Sequence, residues 1–279
     1  MSKKHAVPAT QRPAPRQSAT KEELIARFNR QAEAINSLNA KVTMKLTAGS
    51  AYTGVIEEYH EVDAFILAQR PESIRVIGQA PVVGTNIFDM VSDGQTFHIF
   101  IPPRHKFLEG PATLEHPSAK PIENLRPQHL TDALFWKPIP SHAPVLIEEQ
   151  ADAGMPAYYV LTIVRTAANS NSTGGAALAW EIASKVWFDR ADLSVARLET
   201  FDPGGKVASD ARYSNWETSG NAAFPRGLSI ARPANDYELR IQVAKLTLNE
   251  LVSADRFVLA QPPGSELVRV GEDQLEKKP

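Results

Sequence analysis

The chain has no cysteine. That excludes a disulfide framework, thiolate catalysis and any metal site built on sulfur. Positive charge is not in surplus either: 30 Lys and Arg face 32 Asp and Glu, a formal net charge of −2. Nucleic-acid binding draws on a basic surface, so this balance gives it no electrostatic support. No run of about eighteen apolar residues is present to suggest a spanning helix, and no secretory h-region is visible. Catalytic signatures are missing as well: there is no HExxH, GxSxG, Walker loop or dinucleotide fingerprint. Pro203-Gly204-Gly205-Lys206 is too short for a phosphate loop and lacks its Ser or Thr. The seven histidines are scattered. His98 and His105 could meet across a hairpin with His116 nearby, but single surface or half-buried histidines are the simpler reading. Glu57-Glu58 and Glu148-Glu149 would face opposite sides of a strand and cannot act as pairs. The expectation is a protein that is no enzyme and takes no cofactor or metal.

What is present is hydrophobic: 43% of 279 residues, enough for a substantial core in one large β domain or two small ones. The strongest local signal lies within residues 70–110. Residues 86–92 and 95–101 are apolar-rich runs around Asp93-Gly94, a pair that supplies the positive φ of a tight primed turn. Phe97, Ile99 and Ile101 alternate with His98 and Phe100, so this strand is expected to be covered on both faces.

Residues 1–19 are rich in Pro, Ala, Gln and basic residues, without an acidic one. They read as a disordered tether of the kind that follows a lipidated cysteine, or as an ordinary frayed terminus. Thr20 to Glu23 is a capping box. It opens a helix expected to run to about Leu38, with one apolar stripe through Leu24, Phe28 and Ile35. Strands are expected at 41–48, 52–59, 64–69, 73–78 and 104–108. The Pro-rich stretch 111–144 breaks the series and carries a helix at about 126–136. A long insertion of this kind reads as a lid. Strands resume at 145–150, 158–166, 178–188, 195–201, 208–216, 227–231 and 237–243, with 169–175 as a polar hairpin loop. The alternation through Tyr237 to Leu248 changes phase near Ala244-Lys245, which predicts a bulge. Serial strands without a βαβ period predict one curled antiparallel sheet with helices against one face, residues 20–279 forming a single domain.

Arg70-Pro71, the run Val91-Ser92-Asp93-Gly94-Gln95-Thr96 and the closing FVLAQPPG at 257–264 resemble the LolA/LolB-like lipoprotein carrier and receptor family, across about residues 24–270. The resemblance implies an incomplete antiparallel β-barrel with helices as a lid over a hydrophobic cavity for acyl chains. It implies that Arg70 hydrogen-bonds the lid and holds it shut. Leu125, Leu130, Leu134, Phe135 and Trp136 are the expected lid residues. Phe65, Ile87, Phe97, Ile99, Trp180, Ile182, Val186 and Phe188 are the expected cavity lining, the last four read as sharing a face. The implied partners are acyl chains of lipids or lipoproteins and other envelope transport proteins. The implied place is the periplasm or the periplasmic face of the outer membrane, free or lipid-anchored, with a native signal and lipidated cysteine expected before residue 1. Two departures stand out: extra length at 111–157, and the strand opening at 224–230, which looks more like anchored relatives. A rival reading is an RseB-like envelope regulator or assembly subunit, using the same sheet for protein contact.

Overall fold

The computed structural model describes residues 15–50, 55–112, 126–151, 155–167, 179–220 and 222–270. Helix α1 (Lys21–Glu33) precedes β1 (Ser37–Ser50), β2 (Val55–Glu58), β3 (Val62–Gln69), β4 (Ser73–Gln79), β5 (Asn86–Ser92), β6 (Thr96–Ile101) and β7 (Lys106–Pro111). After α2 (Pro127–Leu134) come β8 (Val145–Gln150), β9 (Tyr158–Thr166), β10 (Trp180–Asp189), β11 (Val195–Phe201), β12 (Val207–Ser219), β13 (Ala222–Arg232), β14 (Tyr237–Leu248) and β15 (Glu266–Arg269). All the strands join one sheet, ordered β15-β7-β6-β5-β4-β3-β1-β14-β13-β12-β11-β10-β9-β8, with β2 beside β1. The order is a meander closed in the middle by β1 and β14. Pairing is antiparallel except where β15 lies parallel on β7, a contact the serial reading did not foresee.

Bulges curl this sheet. Among the described residues the register skips Ala244 against Lys41/Val42, Ala183 against Ile163/Val164, Ala196 against Trp187/Phe188, and Ala208 against Thr200/Phe201. Ile87 is skipped against Gly78/Gln79. Each extra residue raises local twist, and so wide a sheet then wraps into an incomplete barrel instead of lying flat. The expected phase change at Ala244 is therefore a bulge, as the alternation required.

The hairpin at residues 92–97 differs in detail from expectation. Only Gly94 takes positive φ, at 92°. Asp93 instead flanks the turn, its Oδ1 accepting the Gln95 and Thr96 N–H groups at 2.8 Å each. Those bonds stabilise the charged form and hold the Asp93 carboxyl below its ordinary value, although burial opposes them.

The capping box forms as its sequence dictates: Glu23 N–H donates to Thr20 Oγ1 at 3.2 Å, and Thr20 N–H to Glu23 Oε2 at 2.8 Å. The helix ends at Glu33, short of the expected Leu38, because distant side chains take its last carbonyls. Asn249 Nδ2 donates to Ala34 O at 2.8 Å, and Arg70 donates to Ala32 and Ile35. Leu38 lies in β1 instead, and Leu24, Phe28 and Ala32 bury α1 against the inner face of the sheet. The chain is already held at Gln17, whose N–H donates to Arg190 O at 2.6 Å while its own carbonyl accepts Arg190 Nε at 3.1 Å. Gln17, which falls within the expected tether, is thus in contact with the folded chain, and residues 1–14 lie outside the described set.

The outer face of β11–β14 is polar. Arg197 forks onto Asp210 at 2.7 and 2.9 Å and meets Glu199, while Arg240 pairs with Glu238 at 2.8 Å. Apolar burial is concentrated on the side covered by α1 and α2.

Candidate functional site

Helix α2 and the segment behind it lie inside the half-barrel. Leu130, Leu134, Phe135 and Trp136 are all buried in the main core; Leu125 lies outside the described residues. Pro127 sits in the first turn, where its missing N–H costs nothing. Trp136 stacks on Phe28 of α1, ring centres 5.1 Å apart and planes 6° from parallel. Its indole N–H reaches Tyr213 Oη at 2.9 Å, and that hydroxyl donates to Ala133 O at 3.0 Å. Burial pushes the Tyr213 phenol well above its ordinary value, so it stays a neutral donor. Asn29 on α1 holds the next stretch with both ends of its amide: Nδ2 donates to Ile139 O at 3.0 Å, and Oδ1 accepts Ile139 N–H at 2.8 Å.

Arg70 joins these parts. Its Nε donates to Ile35 O at 2.9 Å, and its Nη2 to Ala32 O at 2.6 Å and to Trp136 O at 2.9 Å. The guanidinium also lies 5.1 Å from the Phe135 ring centre, at cation–π range. One side chain thus spans the end of α1 and the end of the α2 segment.

Between this roof and the inner faces of β9–β12 lies a cavity of ≈ 380 Å³, within the ordinary size of small-molecule sites. Phe28, Phe135 and Trp136 form its aromatic side; Leu198, Ala211 and Tyr213 form its floor. Asp132 and Lys137 reach it from the roof. Burial raises the Asp132 carboxyl above its ordinary value, against the pull of Lys137 and Arg232.

Of the expected site residues, Phe135 and Trp136 line this cavity and the eight expected lining residues do not. Phe65 is 40% exposed, turned outward between the buried Ala64 and Ile66. Trp180 is 56% exposed. The bulge at Ala183 takes Trp180 and Ile182 out of phase with Val186 and Phe188, so the four do not share a face. Val186 and Phe188 are buried in the filled core, and Ile99 packs against it. Ile87 is a half-buried bulge residue. Phe97 is buried beneath Arg126, whose guanidinium lies 4.8 Å from its ring centre. The reason is general: large side chains mark where a half-barrel is full. Space remains where the inward positions are small, here Ala183, Ser184 and Ala211.

Tyr213, Asn29 and Phe28 belong to the site and were not singled out from sequence as such. Their signal is faint, since one tyrosine in a strand and one asparagine in a helix look ordinary until the roof is placed. Beside the roof, His129 Nδ1 is hydrogen-bonded to Tyr237 Oη. Burial, with Arg232 and Arg126 nearby, pushes His129 down to about 3, so it is neutral at ordinary pH. Among the described residues no His, Cys, Asp and Glu cluster could hold a metal, and no helix is long and apolar enough to cross a membrane. His98 stacks on Phe107, 5.5 Å between ring centres; His116 lies outside the described residues.

No protein-family model and no curated protein sequence matches the chain. Solved structures do. A DUF1329 family protein from Desulfovibrio piger matches with a TM-score of 0.50 at 13% identity, covering 84% of this chain and 94% of that one. A LolA superfamily protein from Nitrosomonas europaea gives 0.48 at 11% identity, over 87% and 99% of the two chains. A putative outer membrane lipoprotein-sorting protein domain from Vibrio parahaemolyticus gives 0.47 at 11%, over 84% and 94%. At these identities the likeness is one of fold. What this chain shares with the DUF1329 protein is the fold, here an incomplete, curled antiparallel β-barrel with helices against its inner face.

Proposed function

We propose that the protein is a binding protein of the bacterial cell envelope that holds acyl chains of lipids or lipoproteins in its cavity. Its work would be lipoprotein transport or outer-membrane insertion, at the periplasm or the periplasmic face of the outer membrane. One observation carries the reading: an apolar-floored cavity of ≈ 380 Å³ under a roof pinned at Trp136 by Arg70. Burying an acyl chain yields roughly 0.8 kcal/mol per CH₂, on the order of 10 kcal/mol for a long one. Binding that strong needs a gate for release. One charged hydrogen bond, worth about 1.5–3 kcal/mol, biases a roof about ten- to a hundredfold without locking it, which fits a latch at Arg70. Organic extraction of protein purified from a bacterial envelope, read by mass spectrometry, tests this. Stoichiometric acyl species are expected, and a lipid-free protein that takes up no fatty acid would refute it.

A second reading, a regulator or assembly subunit, has one observation in its favour. Strand β8 is an exposed end of the sheet, with Leu146 66% and Ile147 40% exposed, and such an edge can pair with a strand from another chain.

A further inference from the structure

The inner face of the sheet changes character along β9–β12. Leu161, Val186, Leu198 and Ala211 are successive cross-strand partners, and all are buried. The next inward row is Ile163, Ser184, Thr200 and Ser209. Three small hydroxyls thus replace aliphatic groups, and all three line the cavity. Arg165, two residues beyond Ile163, lines it too. Its Nε meets Glu181 at 3.4 Å and its Nη2 meets Phe201 O at 3.3 Å, both long contacts. Nη1 takes no partner among the described residues, and Lys137 forms no ion pair among them. The lining therefore carries two cations, Lys137 and an Arg165 ion-paired with Glu181 at its Nε edge, against one lining carboxylate, Asp132, which burial holds toward its neutral form.

We propose that this hydroxyl row is a head-group site, and that the cavity takes one single-chain amphiphile with an anionic head, carboxylate or phosphate. The proposal rests on the acyl-binding reading above and narrows it. The head lies against Ser184, Thr200, Ser209 and Arg165; the tail runs over Leu198 and Ala211 toward Tyr213. Volume sets the chain count. An apolar cavity of about 150 Å³ accepts benzene, about 25 Å³ per carbon. At that density ≈ 380 Å³ holds about fifteen carbons, one chain and not two. Charge selects the head, because a guanidinium fork binds a planar carboxylate or a phosphate in two parallel bonds.

The test titrates delipidated protein with tetradecanoate, tetradecyl phosphate and tetradecanol, with dioleoyl phosphatidylcholine vesicles as the two-chain probe. One chain per protein is expected, with both anions bound at least tenfold more tightly than the alcohol and no transfer from vesicles. Arg165→Gln should weaken both anions about tenfold and narrow their lead over tetradecanol. Ala211→Trp, checked for folding by circular dichroism, should weaken all three probes by filling the floor. Equal affinity for the alcohol, an anion lead untouched in Arg165→Gln, or two chains per protein would overturn the head-group proposal and leave the acyl reading standing. Failure of all three probes on the parent protein would sink the acyl reading itself. The tighter of the two anions identifies the source of the head.

Discussion

Tyr213 Oη accepts the indole N–H of Trp136 at 2.9 Å and donates its own O–H to Ala133 O at 3.0 Å. A single strand hydroxyl thereby fixes both the last turn of α2 and the aromatic wall of the cavity. Tyr213→Phe should cost about 1 kcal/mol, because two buried hydrogen bonds go while the Trp136 indole N–H keeps Ala133 O at 3.2 Å. Urea unfolding measures this, and the Trp136 emission should shift in parallel. An unchanged midpoint would show that the roof is seated by packing alone.

Arg70→Leu should lower stability by about 2 kcal/mol, leave far-UV circular dichroism unchanged and shorten retention of a bound fatty acid. Arg70→Lys separates charge from shape, since one ammonium cannot reproduce a fork that reaches Ala32, Ile35 and Trp136 together. It should resemble the Leu variant. Wild-type retention in Arg70→Lys would mean that charge suffices.

His129 gives stability a pH dependence of known sign. Its folded value, about 3, lies below its ordinary 6.5. Its contribution is therefore complete above about pH 6.5 and fades as pH falls toward 3, by about 1.4 kcal/mol at pH 5.5. Asp132 shifts the other way, and its effect begins only above its ordinary 3.8. Melting curves at pH 7.5 and 5.5 should differ in the parent and differ less in His129→Gln. Equal slopes in the two proteins would contradict a buried neutral imidazole.

Gln17 is the first described contact of the chain with the sheet, through Arg190. A protein beginning at Arg16 should melt several degrees above one beginning at Ala19, which loses both backbone bonds. Identical melting temperatures would make that contact energetically empty.

Local chemistry was legible in the sequence. The capping box at Thr20, the turn at Asp93-Gly94 and the phase change at Ala244 each depend on a few neighbouring residues, and each is found. The resemblance drew attention to Arg70, and its hydrogen bonds run to the α2 segment. What escaped depends on register. One extra alanine at 183 turns Trp180 and Ile182 away from Val186, and no count of apolar residues reveals that. The outward turn of Phe65 is equally hidden, because alternation gives two faces without saying which is inner. The end of α1 was missed because Arg70 and Asn249, far along the chain, settle where its carbonyls stop bonding to their own helix.

The three bonds of Arg70 are unequal in their fate. If the roof lifts, the bond to Trp136 O breaks, but those to Ala32 O in α1 and Ile35 O just beyond it persist. The guanidinium would then stay aimed and open to water at only one contact, like a hook left fixed to its frame while the door swings. Opening so arranged takes one of the side chain's three hydrogen bonds along with the roof's own contacts to Asn29, Phe28 and Tyr213, and reclosing needs no search for the conformation of Arg70, which favours a fast return over a long-lived open form.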